Sequence, residues 1–228
     1  MNFSTLYAAF DAPVTALDCG EKCAPYNEHG VPFCCDTRHA VPTAYEEEWR
    51  YLCAHTDLWH LWQGPTPEET AELQAETPDG QVLVECLGAA ACQREFRTIT
   101  CRAFPFFPYL DSGGNFLGMS YYWEYADRCW VANNLQAVTP AYRRQFIEAY
   151  EQIFAHMPAE KETFARHSAY MRREFIRRRR RIPLLHRNGN VYQISPRSER
   201  LRRCRPEDLP KYGPYRIAAW LPFPDEMP

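Results

Sequence analysis

Apolar residues along the chain fall into helical stripes, alternating runs and one long stretch with no period. The clearest stripe begins at Thr139-Pro140, a capping residue followed by a first-turn proline, and carries Phe146, Tyr150, Ile153 and Phe154 to about His156. Met157-Pro158 interrupts it. A second helix over about 159–181 presents Phe164, Tyr170, Met171 and Phe175 before ending in the run Arg177 to Arg181. Nearer the N-terminus, Thr43 is placed to cap a helix over 44–62, with Glu46, Glu47 and Glu48 in its first turn and Trp49, Leu52, Cys53 and Trp59 on one buried face. A short helix starting at Thr66 or Pro67 follows.

Extended structure is marked by turn chemistry. A Pro-Asp-Gly turn precedes a strand ending at Cys86, Asp111-Ser112-Gly113-Gly114 joins two apolar runs into a hairpin, and Asn188-Gly189 signals another. In residues 1–42, Pro13, Pro25, Pro32 and Pro42 break any regular element, which suits a segment folded around a metal. The proline-rich C-terminal end reads as an ordered coil. The expected class is α+β: an irregular cysteine-rich lobe on a small antiparallel sheet, with two C-terminal helices packed across it. Residues 1–138 form the cysteine-cluster region and 139–228 a helical basic region, the two expected to pack as one domain.

At 228 residues the chain can bury a core without covalent staples. The N-terminus lacks a basic leader and carries Asp11 where a signal peptide needs an apolar run, and nothing approaches the ~18 consecutive apolar residues of a membrane span. The expectation is a cytoplasmic protein with no membrane span, in which thiols stay reduced. The net charge of −3 conceals a division: residues 1–138 hold 7 Lys and Arg against 19 Asp and Glu, and 139–228 hold 19 against 10. The basic third can dock on the acidic part of its own chain or face an acidic protein partner. Specific nucleic-acid binding is not expected, because no aromatic recognition signature accompanies the arginines. Nor is there a glycine-rich phosphate loop, a nucleophile elbow or a HExxH motif.

The chemistry lies in the cysteines. Eight of the ten form an ordered series: Cys19, Cys23, the adjacent pair Cys34-Cys35, then Cys86, Cys92, Cys101 and Cys129. Neighbouring thiols rarely form a disulfide without strain, but adjacent thiolates can serve one cluster or two nearby ions. Soft thiolates select zinc, Cu(I) or an iron–sulfur cluster. Eight exceed the needs of one four-coordinate zinc or one cubane, so the set implies two sites, one larger assembly, or four ligands with supporting cysteines. Cys53 reads as a buried apolar residue on its helix and Cys204 as a lone thiol near the surface. Among His29, His39, His55 and His60, His39 is the preferred nitrogen ligand because it lies near the Cys34-Cys35 pair. Asp36 reads as a turn cap. Arg102, directly after Cys101, is the candidate for compensating thiolate charge at the bound group.

The segments DCGEKCAPYNEHGVPFCCDTRHAVP, ECLGAAACQREFRTITCRAFPFFPYLD and DRCW resemble the YkgJ-type cysteine-cluster family, described as zinc- or iron-chelating domains. The resemblance covers about residues 15–135 and rests on Cys34-Cys35, on Cys86 closing a strand, on Cys92, and on the Cys-Arg-x-Phe-Pro segment from Cys101 to Pro105. It implies metal binding rather than a particular reaction, although a flagellin lysine methylase carries a similar cluster. Ten residues separate Cys23 from Cys34 here, where many members have only a few. Three classes of function follow: a metalloprotein using an iron–sulfur cluster or iron in redox or group-transfer chemistry, a zinc-stabilised binding module, and a metal carrier or sensor. The surplus of thiols over four favours the first.

Overall fold

A computed structural model describes residues 1–216. The prolines Pro222, Pro224 and Pro228, expected to lie in an ordered coil, fall outside the described residues. Helices α1 (Phe3–Ala9), α2 (Gly20–Cys23), α3 (Glu46–His55), α4 (Pro67–Glu76), α5 (Ile99–Ala103), α6 (Pro140–His156) and α7 (Pro158–Arg177) combine with antiparallel sheets, so the protein is α+β. Strands β1 (Thr43–Tyr45), β2 (Trp59–Leu61) and β3 (Gln81–Cys86) form a sheet in the order β1-β3-β2. A larger sheet takes β4 (Phe106–Leu110), β5 (Phe116–Tyr121), β6 (Ile182–His186), β7 (Val191–Ile194) and β8 (Leu201–Arg203) in sequence order. The larger sheet draws strands from both sides of position 138, so the acidic and basic parts of the chain share one sheet.

Helix α6 starts where Thr139 accepts a hydrogen bond from Tyr142 N, and it buries Tyr142, Phe146, Tyr150 and Ile153 at helical spacing. Helix α7 packs on β4 through Met171 and Phe175, which join Phe107, Tyr109, Ile182 and Leu184 in one apolar cluster. The main cluster runs from Phe3 and Leu6 through Val84, Ile99 and Phe106 to Tyr150 and Ile153, so the N-terminal segment and α6 bury the same core. Residues 1–42 are not wholly irregular. Helix α1 forms before the first proline, with Asn2 capping it through Thr5 N, and it buries Phe3, Leu6 and Tyr7.

The expected helix over 44–62 is a strand, a helix and a strand. Thr43 does not cap; it pairs with Leu83 in the sheet. Tyr45 enters the core, and its amide donates to Glu48 in the first helical turn at 3.1 Å. Helix α3 ends at His55, after which Trp59 pairs with Cys86 and donates its indole N–H to Phe96 O at 2.8 Å. That path leaves Leu52 buried and Cys53 exposed, correcting the expectation of a buried Cys53. The arginine run is not wholly helical either: α7 ends at Arg177, and Arg179 takes a positive φ of 53°. Among the described residues no helix is long and apolar enough to cross a membrane.

Candidate metal centre

The local folds around the cysteines bring the separated motifs to one place. Asp18 accepts Gly20 N at 2.8 Å and starts α2, which carries Cys23 at its end. A Cβ on Gly20 would lie 2.8 Å from Pro32 Cγ, so glycine lets this turn press against the loop that leads into Cys34 and Cys35. Those two occupy a tight 3-10 turn, closed by Cys35 N donating to Pro32 O at 2.8 Å. Cys86 ends β3, and Cys92 follows a further 3-10 turn. Thr98 caps α5 by accepting Cys101 N at 3.1 Å, and Cys129 N donates to Tyr125 O at 2.9 Å.

Five of the thiols, Cys34, Cys35, Cys86, Cys92 and Cys101, line a cavity of about 100 Å³ together with Arg97. Charge coupling links the sulfurs in two overlapping groups. Cys101 is coupled to Cys35, Cys92 and Cys86, Cys129 to Cys19 and Cys23, and Cys23 to Cys35 as well. Cys34 joins them: its sulfur lies 4.0 Å from that of Cys35, and it also feels Cys101 and Cys129. Among the described residues no three of these sulfurs lie within 4.8 Å of one another. A single tetrahedral zinc with Zn–S bonds of about 2.3 Å needs four sulfurs roughly 3.8 Å apart. The Cys34–Cys35 separation approaches that value, but no third sulfur joins the pair within 4.8 Å, so among the described residues the thiols do not form a closed mononuclear cage.

Burial dominates the electrostatics. It pushes the Cys101 and Cys129 thiols up to about 12 and the Cys23 thiol up to about 11, and it raises Cys19 and Cys86 as well. Cys35 is the exception: its sulfur accepts from Cys34 and faces Arg97, which holds it below the ordinary thiol value, while Cys34 is raised by donating and by burial. A metal ion would replace the remaining thiol protons and supply the positive charge that one guanidinium cannot. The donor set therefore fits a thiophilic metal.

Among the described residues Arg102 makes no hydrogen bond to a thiol. Its guanidinium donates to the carbonyls of Arg97, Tyr7, Phe10 and Glu95 at 2.9, 3.2, 2.5 and 2.7 Å, and it lies 4.3 Å from the Tyr7 ring centroid. These bonds make Arg102 a tie between α1, α5 and the 95–97 turn, not the cation at the thiols. That place belongs to Arg97, whose Nε donates to Cys92 Sγ at 3.1 Å and whose pKa is raised because Cys101 and Cys92 outweigh the burial opposing its charge. The sequence does carry a signal for Arg97, since it is one of only 7 basic residues in the first 138 and stands between Cys92 and Cys101.

A harder donor set adjoins the pair. One ligand atom each from His29, Asp36 and His39 lies within 4.8 Å of the others. Asp36 is the hub: Arg38 binds both its oxygens at 2.8 and 3.1 Å, Asn27 donates at 3.1 Å, and His29 Nδ1 is 2.9 Å away. Arg38 first, then Asn27 and His29, hold its carboxyl well below the usual range against the cost of burial. With both carboxylate oxygens engaged, Asp36 shapes the loop after Cys35 rather than offering a free ligand. His39 stands at the edge of this network, its Nδ1 3.3 Å from the Arg128 guanidinium. His55 on α3 bonds Tyr51 O and His60 on β2 pairs with Glu85, and among the described residues neither joins a thiol in a group of potential ligands.

A broad cleft of about 1160 Å³ reaches Cys34 and Cys101 from the surface, walled by Glu69, Glu72 and Glu76 of α4 and by Phe104 and Tyr122. No protein-family model matches the chain, and neither a curated protein nor a solved structure shows significant similarity to it.

Proposed function

We propose that this protein is a metalloprotein whose clustered thiolates, Cys19, Cys23, Cys34, Cys35, Cys86, Cys92, Cys101 and Cys129, hold a polynuclear iron–sulfur centre, in the manner of the YkgJ-type cysteine-cluster family. The observation that carries this reading is the convergence of five thiols on one cavity around Cys34 and Cys35, whose sulfurs lie 4.0 Å apart, which suits ligands to one extended centre or to two adjoining ones. Such a centre supplies electron transfer or an open coordination position for group transfer. The chain's own contribution is twofold: Arg97 donates to a ligand sulfur, and the cleft beside Cys34 and Cys101 admits a substrate. A site closed for stability alone would have no use for that cleft or for more than four thiols.

Protein purified without oxygen and freed of its tag is expected to contain iron with a matching amount of acid-labile sulfide and to absorb broadly in the visible. Zinc without sulfide would replace this reading with a zinc-stabilised module. Metal that exchanges freely with solution would replace it with a carrier.

A further inference from the structure

A second cleft, of about 540 Å³, opens between the end of α7 and the segment 211–216. Four arginines line it, Arg128, Arg178, Arg180 and Arg216, together with Trp123 and Tyr212. Glu124 and Asp127 also line it, leaving the wall with two more positive than negative side chains. Glu174 stands behind that wall, binding Arg178 at 3.0 Å and Arg177 at 2.6 Å. Among the described residues Arg180 has no carboxylate partner.

The wall is built. Arg179 holds a left-handed conformation, φ 53°, which is costly for a residue with a side chain, and it is kept there by Arg179 N donating to Ile176 O and Arg180 N to Phe175 O. The chain reversal brings Arg178 and Arg180 to the same side. The Arg178 guanidinium carbon lies 4.9 Å from the Trp123 ring centroid and that of Arg180 lies 5.9 Å from Tyr212, while the two rings meet edge to face at 5.2 Å. Across the cleft, Gly213 has φ 57°, and a Cβ there would lie 2.2 Å from Asp127 O, so only glycine allows the 211–216 segment to lie so close. Tyr212 N donates to Asn133 Oδ1 at 2.5 Å and the Tyr215 hydroxyl to Arg128 O at 2.7 Å, clamping both ends of that segment.

Guanidinium planes held against aromatic rings lose little freedom on binding and keep their N–H edges for planar oxyanions. Several such groups around one volume suit a ligand carrying more than one phosphate, since each phosphate can accept paired, charge-assisted hydrogen bonds. The volume exceeds what a single phosphate fills and lies within the range of about 300–1,000 Å³ typical of organic-ligand sites. We infer that this cleft binds a small organic polyphosphate. The site is distinct from the thiol cavity, and the inference does not depend on which metal the thiols hold.

The test is calorimetric titration of the full chain, as purified, with ATP, with inorganic tripolyphosphate and with a single-stranded oligonucleotide, at low and at physiological salt. The variants are Arg180→Gln, Arg128→Gln and, as a control on the exposed face of α7, Arg173→Gln, each checked for unchanged melting temperature. Saturable one-to-one binding of ATP and tripolyphosphate is expected, weakened by salt, reduced at least tenfold in Arg180→Gln and Arg128→Gln, and unchanged in Arg173→Gln. Three results would overturn the inference: no saturation by either polyphosphate, equal affinity in all three variants, or an oligonucleotide that binds more tightly than ATP, which would make the cleft part of a nucleic-acid surface. If one of the two cleft variants fails to fold, the other decides.

Discussion

Arg97 Nε lies 3.1 Å from Cys92 Sγ, whereas the guanidinium of Arg102, next to Cys101 in sequence, is spent on four backbone carbonyls. One arginine therefore serves the thiols and the other the fold.

The two should separate on substitution. Arg102→Met strands buried carbonyls and is expected to cost about 3 kcal/mol or more of stability, read from the denaturant midpoint. Arg97→Met is expected to change stability by about 1 kcal/mol or less while lowering the metal retained per chain, with Arg97→Lys intermediate. Equal metal loss in Arg97→Met and Arg102→Met at matched stability would remove the special role of Arg97.

The cysteines should divide in the same way. Cys34→Ser and Cys35→Ser are each expected to lose most of the bound metal, because the pair shares one cavity with Cys86, Cys92 and Cys101. Cys53→Ser, at an exposed position on α3, and Cys204→Ser, beyond the thiol groups, are expected to keep all of it. Metal analysis of the four variants checks this, and full retention in Cys34→Ser would contradict it.

Glu48 gives the fold a pH dependence. It is fully buried and accepts from the Tyr7 hydroxyl at 2.6 Å, Ile99 N at 2.7 Å and Tyr45 N at 3.1 Å. Burial nonetheless outweighs these bonds and pushes its carboxyl up from the usual 4.5 to about 7. The folded state thus binds the proton more tightly than the unfolded chain. The carboxyl costs nothing below about pH 4.5, and its penalty grows as pH rises to 7, reaching about 3 kcal/mol. The stability of wild type relative to Glu48→Gln should therefore fall across that window. A difference independent of pH would show that Glu48 stays ionised in the folded protein.

What could be read from the sequence depended on whether a signal was local. Helix α6 carries its start in Thr139-Pro140, its end before Pro158 and its buried face in one stripe, so its bounds agree with the pattern. Residues 43–61 mislead because three glutamates and an apolar stripe imitate one long helix. Pairing with β3, distant in sequence but adjacent in space, claims both ends of that stretch as strands. Helix α1 is too short for a period to show and exists because Phe3, Leu6 and Tyr7 find a core elsewhere. At the site, spacing singles out the eight cysteines but not their grouping. It also puts Arg102 beside Cys101 without revealing that a residue on a short helix points away from its neighbour. The position of Arg97 between Cys92 and Cys101 can be read from the sequence, but its bond to Cys92 follows only from the folding of the 94–97 turn.

The most direct test of the central claim is X-ray absorption at the edge of the metal found in anaerobically purified protein. The account predicts a first shell of sulfur together with a metal–metal scattering vector, the signature of a polynuclear centre held by these thiolates. A first shell of nitrogen and oxygen, such as His29, Asp36 and His39 would provide, or a lone metal with no metal neighbour, would contradict it.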